Sequence, residues 1–169
     1  INDIKYRNWN LLKDNVFKSV PEFYNYSHNC LIHGDFCFSN VLYDLRSGIF
    51  KLIDPRGQWG YDSGGDIKYD LAKLRHSISG DYDYIVSDLF SVSYDVNESI
   101  IECKIHNRSK KNIVKYFDDK VEKNFNLKHI KIIEGLLFLS MIPLHYENSQ
   151  RQVVLFSKSI EILNQVINV

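Results

Sequence analysis

Two short apolar runs, each leading to a carboxylate, constrain what this chain can fold into. Residues 30–32 precede the triplet His33-Gly34-Asp35, and residues 49–53 directly precede Asp54. Apolar runs of this length predict β-strands. Enzymes built on strands often carry reactive groups in the loops at strand ends, because the strand fixes the backbone and the loop exposes the side chain. The two carboxylates therefore predict a functional site at neighbouring strand ends.

The second apolar run also has a partner earlier in the chain. Residues 41–43 and 49–53 lie on either side of Arg46-Ser47-Gly48, which is typical of a turn, so they predict a β-hairpin. The chain leaves Asn40, reverses, and returns to the same end at Asp54. The hairpin therefore brings these two polar side chains together.

Asp35, Asn40 and Asp54 together offer one candidate base and two oxygen donors for a hard cation. Mg²⁺ is usually held by one or two carboxylates together with substrate phosphates and water. A base beside such a metal site is the equipment of phosphoryl transfer.

These residues resemble the catalytic core of the aminoglycoside phosphotransferase and choline kinase family, which comprises small-molecule kinases with a protein-kinase-like fold. The resemblance rests on His33-Gly34-Asp35, Asn40, residues 53–55, and residues 65–74, where a Gly-Asp pair opens a helix carrying Asp70. It implies an α+β fold: the mostly helical C-terminal lobe of a kinase, with a small β-hairpin that carries the catalytic and metal loops.

The resemblance also implies roles for these residues. Asp35 accepts the proton of the substrate hydroxyl or orients that hydroxyl, and Asn40 and Asp54 bind Mg²⁺ that bridges the phosphates of ATP or GTP. His33 belongs to the same catalytic loop, where we expect it to hold the loop by hydrogen bonds rather than act on substrate. Asp70 braces that loop through backbone N–H groups. The alternatives are a loop-capping turn at Asp35 and a half-exposed helical carboxylate at Asp70.

Arg56 is a departure from the family, in which an aromatic or acidic residue often follows the metal-binding Asp. It is a possible phosphate or substrate contact, because an arginine binds a phosphate or a carboxylate bidentately. Pairing with Asp62 or Asp66 is equally compatible with the sequence. We expect the glycine-rich residues 57–65 to form a mobile or tightly turned loop.

Periodicity predicts helices in the rest of the chain, and Asp66 is the expected N-cap of the helix over residues 67–77. Ile67, Leu71, Leu74 and Ile78 form its expected apolar face, and residues 88–105 read as a hairpin or as a break between helices. The expected helices span residues 4–20 (broken at Pro21), 67–77, 110–125, 127–146 (bent or ended near Pro143) and 150–166.

The length of 169 residues fits a single domain, residues 1–169. Lys and Arg number 21, as do Asp and Glu, so the net charge of zero gives no electrostatic case for nucleic acid or an anionic membrane. We predict no membrane insertion, since the longest apolar stretch, residues 136–144, is too short to span a bilayer. The three cysteines have no metal spacing and read as reduced thiols of a cytoplasmic protein.

A kinase of this type normally has an upstream sheet lobe that grips the nucleotide. Only 32 residues precede His33, they read as helical, and the first is Ile rather than Met. We therefore expect a fragment of a longer protein, whose missing N-terminal lobe or fused domain is a partner of this lobe. The isolated chain should fold but phosphorylate poorly or not at all.

Two functions follow. The first is a kinase lobe that transfers the terminal phosphate of ATP or GTP to a small-molecule alcohol: choline or ethanolamine, a sugar or surface-polysaccharide intermediate, or an aminoglycoside. The second is a non-catalytic, kinase-like binding or regulatory module of a multidomain protein. The intact set of Asp35, Asn40 and Asp54 favours the first.

Overall fold

The computed structural model describes residues 1–23, 29–56, 64–107 and 110–167. Its fold is α+β, as predicted, with most of the helix in the second half of the chain. In chain order, the elements are α1 (Trp9–Phe23), β1 (Asn29–Leu31), β2 (Val41–Asp44), β3 (Ile49–Leu52), β4 (Gly64–Asp66), α2 (Ile67–Ile78), α3 (Tyr82–Val86), β5 (Phe90–Asp95), β6 (Ile100–Ile105), α4 (Lys111–Val121), α5 (Leu127–Met141) and α6 (Ser149–Val166). Short 3-10 turns span Phe38–Asn40 and Ile142–His145.

The described strands form three antiparallel pairs: β1 with β4, β2 with β3, and β5 with β6. The predicted hairpin is confirmed as β2–β3, and its register pairs Val41 with Leu52. The backbone N–H of Ile53 donates to the carbonyl of Asn40 at 3.0 Å, so Asn40 and Asp54 do lie at the same end. Between the two readings of residues 88–105, the structure shows the hairpin.

The first helix differs from its prediction at both ends. It begins at Trp9, and Ile4 lies outside it and exposed. Pro21 lies inside the last turn instead of ending the helix. A proline has no N–H to donate to the carbonyl four residues earlier, so this last turn lacks one helical hydrogen bond. Leu12 and Val16 are its fully buried residues, and they pack in a core that includes residues of α6.

Helices α5 and α6 form the centre of the body. Phe138 and Leu163 are fully buried, and a Cβ at Gly135 would lie 2.7 Å from Leu163, so the two helices touch at that glycine. The predicted helix from 127 to 146 ends at Met141 and continues as the 3-10 turn that contains Pro143. Of the helices in the described ranges, none has the length and hydrophobicity needed to cross a bilayer.

Helix α2 is capped as predicted, because the Asp66 side chain accepts a hydrogen bond from the Lys68 N–H at 2.9 Å. Its expected apolar face is confirmed only in part. Ile78 is buried, but Ile67, Leu71 and Leu74 are only partly buried. The buried residues are instead mostly polar: Lys68, Asp70, Lys73, Arg75, His76 and Ser77, together with Ala72. The helix tolerates them because neighbouring elements supply hydrogen-bond and charge partners for several of them.

Candidate functional site

Helix α2 anchors the loop of residues 33–40 by hydrogen bonds. The two oxygens of Asp70 accept from the N–H of His33 at 2.6 Å and from the N–H of Gly34 at 2.8 Å. Two turns further along the same side of the helix, Ser77 Oγ accepts from the Phe38 N–H at 3.1 Å. Asp70 is buried rather than half-exposed, and these are the backbone contacts that the family resemblance implies for it. The loop backbone is thus fixed at both ends by one helix.

Asp35 lies within this loop and is held from two sides. Its Oδ1 is 2.7 Å from the Lys73 ammonium, and its Oδ2 accepts from Asn40 Nδ2 at 3.1 Å. Asn40 Nδ2 also donates to the Asp35 carbonyl at 2.8 Å. The Asp35 side chain is still 35% exposed, whereas that of Lys73 is 4% exposed. About a third of the Asp35 side chain is therefore accessible from solvent.

The two candidate metal ligands present oxygen atoms at the end of the β2–β3 hairpin. The amide nitrogen of Asn40 is occupied by Asp35, so its Oδ1 is the atom that suits a cation. Asp54 is exposed and adopts a left-handed backbone with φ 53°. Aspartate tolerates this conformation better than most residues, and strained backbone is found at functional sites. Within the described ranges, the Asp54 carboxylate accepts no hydrogen bond.

This donor set fits Mg²⁺ better than a transition metal. In the described part of the chain, no group of three or more His, Cys, Asp or Glu side chains is arranged to hold a metal. One carboxylate and one amide oxygen are a sparse set of hard donors. Mg²⁺ accepts such a set because it takes its remaining ligands from water and substrate phosphates.

His33 makes the contacts of a loop-holding residue. Its Nδ1 accepts from the Asp35 N–H at 3.3 Å, and its ring lies 5.9 Å from that of Phe36. Its carbonyl accepts from the Arg56 N–H at 2.8 Å, which ties this loop to the one after Asp54. Its Nε2 is buried, with no hydrogen-bond partner among the described residues.

Arg56 is exposed, and its side chain hydrogen-bonds the hydroxyl of Tyr69 on α2. Burial raises the pKa of Tyr69, and the nearby Arg56 opposes that rise. Of the two acids considered as partners for Arg56, Asp66 pairs with Lys68 at 2.6 Å. Asp62 lies outside the described residues, as does most of the predicted glycine-rich loop.

Sequence reasoning missed two side chains next to Asp35. Lys73 follows Asp70 by three residues on α2, and that spacing was a usable signal, since residues three apart share a helix face. Tyr82, on α3, gave no such signal. Burial, together with the nearby Cys37 and Asp35, raises the pKa of Tyr82 to about 12. Cys37 itself is buried, in keeping with its position inside a packed loop.

Comparison with known proteins adds nothing to this geometry: no family model, no curated protein and no solved structure matches the chain.

Proposed function

We propose that this chain is the catalytic lobe of a small-molecule kinase, which transfers the terminal phosphate of ATP or GTP to a hydroxyl group. One observation carries the proposal. Asp35 is held by Lys73 and Asn40 in a loop anchored on α2, yet a third of its side chain is open to solvent. A carboxylate that is fixed and accessible is what a base or a hydroxyl-orienting group needs.

In this proposal, Asp35 accepts the proton of the acceptor hydroxyl or aligns that hydroxyl for in-line attack. Asn40 Oδ1 and the Asp54 carboxylate hold Mg²⁺, which when bound neutralises charge on the nucleotide phosphates. His33 and Asp70 keep the loop in place through the backbone contacts described above. Arg56, exposed in the loop after Asp54, is proposed to contact a phosphate or the acceptor.

The chain's wider setting is part of the same proposal. We assign it to the C-terminal lobe of a protein-kinase-like fold, working with a nucleotide-gripping lobe or fused domain of the full-length protein. A cytoplasmic location suits the ATP or GTP co-substrate and the three free cysteines. The acceptor is a small alcohol of the classes named above.

One observation favours the second candidate, a non-catalytic binding or regulatory module. Both oxygens of Asp35 already have protein partners, in Lys73 and Asn40. A carboxylate whose only role is to hold a loop in place would make the same two contacts. The exposed and unpaired state of Asp54 within the described ranges has no such structural explanation, so we rank the kinase first.

The test uses the full-length gene product. Mg²⁺-dependent consumption of ATP and of GTP is followed with amino alcohols, sugars and aminoglycosides as acceptors. We expect acceptor-dependent turnover that Asp35→Asn lowers by about 10²–10⁴-fold, as for loss of a general base. Asp119→Asn is the matched control, since Asp119 is an exposed carboxylate on α4. It should leave turnover unchanged.

Absence of turnover with every acceptor, together with absence of Mg²⁺-dependent nucleotide binding, would replace the kinase with the binding module. The isolated chain of 169 residues is measured in parallel. Turnover by that chain equal to that of the full-length product would refute the expected need for an N-terminal lobe.

A further inference from the structure

Lys73 is a buried cation directed at the candidate base. It lies on α2, one turn after Asp70, and its Nζ is 2.7 Å from Asp35 Oδ1. Among the described residues, Asp35 supplies the one carboxylate within ion-pair distance of it. The ring of Tyr82 lies 5.7 Å from the same ammonium and offers a cation–π contact.

The burial of Lys73 indicates how it acts. With 4% of its side chain exposed, it is shielded from a phosphate or an acceptor arriving from solvent. Its partner Asp35, in contrast, keeps 35% of its side chain exposed. Lys73 is therefore placed to act on Asp35 rather than on a substrate.

The contacts of Asp35 show what Lys73 contributes. Lys73 holds Oδ1 while Asn40 holds Oδ2, so the two partners together fix the rotation of the carboxylate plane. Either contact alone would leave that rotation free. A buried ammonium is costly without a charged partner, so the pair also strongly favours the arrangement seen here over alternatives.

We propose that Lys73 is a positioning residue that fixes the orientation of the Asp35 carboxylate for the reaction. The kinetic consequence rests on the proposed kinase function. The positional part, that Asp35 turns away when Lys73 is lost, stands independently of it and is tested separately.

Helix α2 offers a matched control. Lys68 lies on the same helix, is equally buried, and pairs with Asp66 at 2.6 Å, compared with 2.7 Å for Lys73 and Asp35. Lys68→Met and Lys73→Met thus remove the same group from two equally buried lysine positions. They differ in which carboxylate loses its partner. The paired carboxylates differ in exposure, at 15% for Asp66 and 35% for Asp35.

The kinetic test compares both variants in the full-length product. We expect Lys73→Met to lower kcat by about 10- to 100-fold, the cost of a misplaced catalytic group, with little change in KM for the nucleotide. Lys68→Met should leave kcat within about twofold of the parent. In an Asp35→Asn background, adding Lys73→Met should lower kcat no further, because Lys73 acts through Asp35. Lys73→Arg, which keeps the charge, should restore part of kcat.

Two kinetic outcomes overturn the proposal: equal kcat for Lys73→Met and Lys68→Met in an active parent, or full additivity of Lys73→Met with Asp35→Asn. An inactive parent instead counts against the kinase function. Crystal structures of the two variants then decide the positional part. Asp35 should rotate away from Asn40 Nδ2 in Lys73→Met but not in Lys68→Met, and an unmoved Asp35 overturns the proposal. If Lys73→Met does not fold, Lys73→Gln, which drops the charge but stays polar, takes its place in both tests.

Discussion

Helix α2 has two polar faces, and they hold their charges in different ways. On one face, Asp70 and Lys73 reach into the loop of residues 33–40, and the chain of contacts ends at the partly exposed Asp35. On the opposite face, Arg75 reaches into the helical body. It pairs with Asp118 on α4 through two hydrogen bonds, at 2.9 and 3.1 Å, and with Glu134 on α5.

The second face, which carries Arg75, packs inside the helical body, and we call it the closed face. Glu134 is fully buried, and burial raises the pKa of its carboxyl although Arg75 opposes the rise. Burial works against the charge of Arg75, but Asp118 and Glu134 outweigh it and raise its pKa. Arg75, Asp118 and Glu134 lie on three different helices, so their pairing joins those helices. The face that contacts the loop, which we call the open face, carries a similar ion pair between Lys73 and Asp35. Here the carboxylate stays partly exposed, so it is accessible for a reaction.

Breaking the closed face should have the largest effect on stability. Arg75→Met leaves Glu134 and Asp118 without their cation, and loss of one partner from a buried ion pair costs about 3–5 kcal/mol. Urea denaturation measures the loss in the free energy of unfolding. Lys115→Met is the control, because it removes a fully exposed cation paired with Asp119 on α4 and should change stability little. A loss as small as that of the control would mean that the Arg75 cluster does not join the helices.

A substitution on the open face should lower stability less, and its effect should be local. Asp70→Asn keeps the shape of the side chain but can accept only one of the two hydrogen bonds from His33 and Gly34. Leaving a buried N–H unsatisfied costs about 1–3 kcal/mol. Hydrogen exchange at these two amides should accelerate, while exchange within α5 should change only as far as global stability changes. Unaltered protection of both amides would contradict the bracing role.

The same comparison explains what the sequence could predict of the fold. The β2–β3 hairpin and the start of α2 were predictable, because a turn sequence and an N-cap are local signals. The buried face of α2 was not. Arg75, for example, depends on Asp118 and Glu134, which lie 43 and 59 residues further along the chain. A prediction that places apolar side chains in the core selects Leu71 and Leu74, because it does not include partners that are distant in sequence.

For the site, the sequence supplied the reactive groups but not their support. Asp35, Asn40 and Asp54 stood out by residue type and by their positions at strand ends. The contact of Asn40 with both the carbonyl and the carboxylate of Asp35 depends on the 3-10 turn between them, which no local pattern announced. Lys73 was within reach of helical spacing from Asp70, but spacing alone does not reveal that it pairs with a residue of another segment.

His76 lies between the two faces and should give the smallest effect, visible only as a pH dependence. It is fully buried between Tyr82, at 4.3 Å between ring centroids, and Phe138, at 4.0 Å. Neither ring nitrogen has a hydrogen-bond partner among the described residues. Burial, together with the charge of Lys73, lowers its pKa well below the ordinary value of 6.5.

Below about pH 6.5, the unfolded chain therefore binds a proton at His76, whereas the folded protein does not. The free energy of unfolding consequently falls as the pH falls. The slope attributable to this group is at most about 1.4 kcal/mol per pH unit. His76→Phe, which keeps the stacking, should flatten the loss of stability between about pH 7.5 and 5.5 in urea denaturation. Burial also lowers the pKa of His129, but this residue is present in both proteins and cancels in the comparison. Equal slopes of unfolding free energy against pH for the two proteins would contradict this prediction. They would show that His76 is protonated in the folded protein as readily as in the unfolded chain.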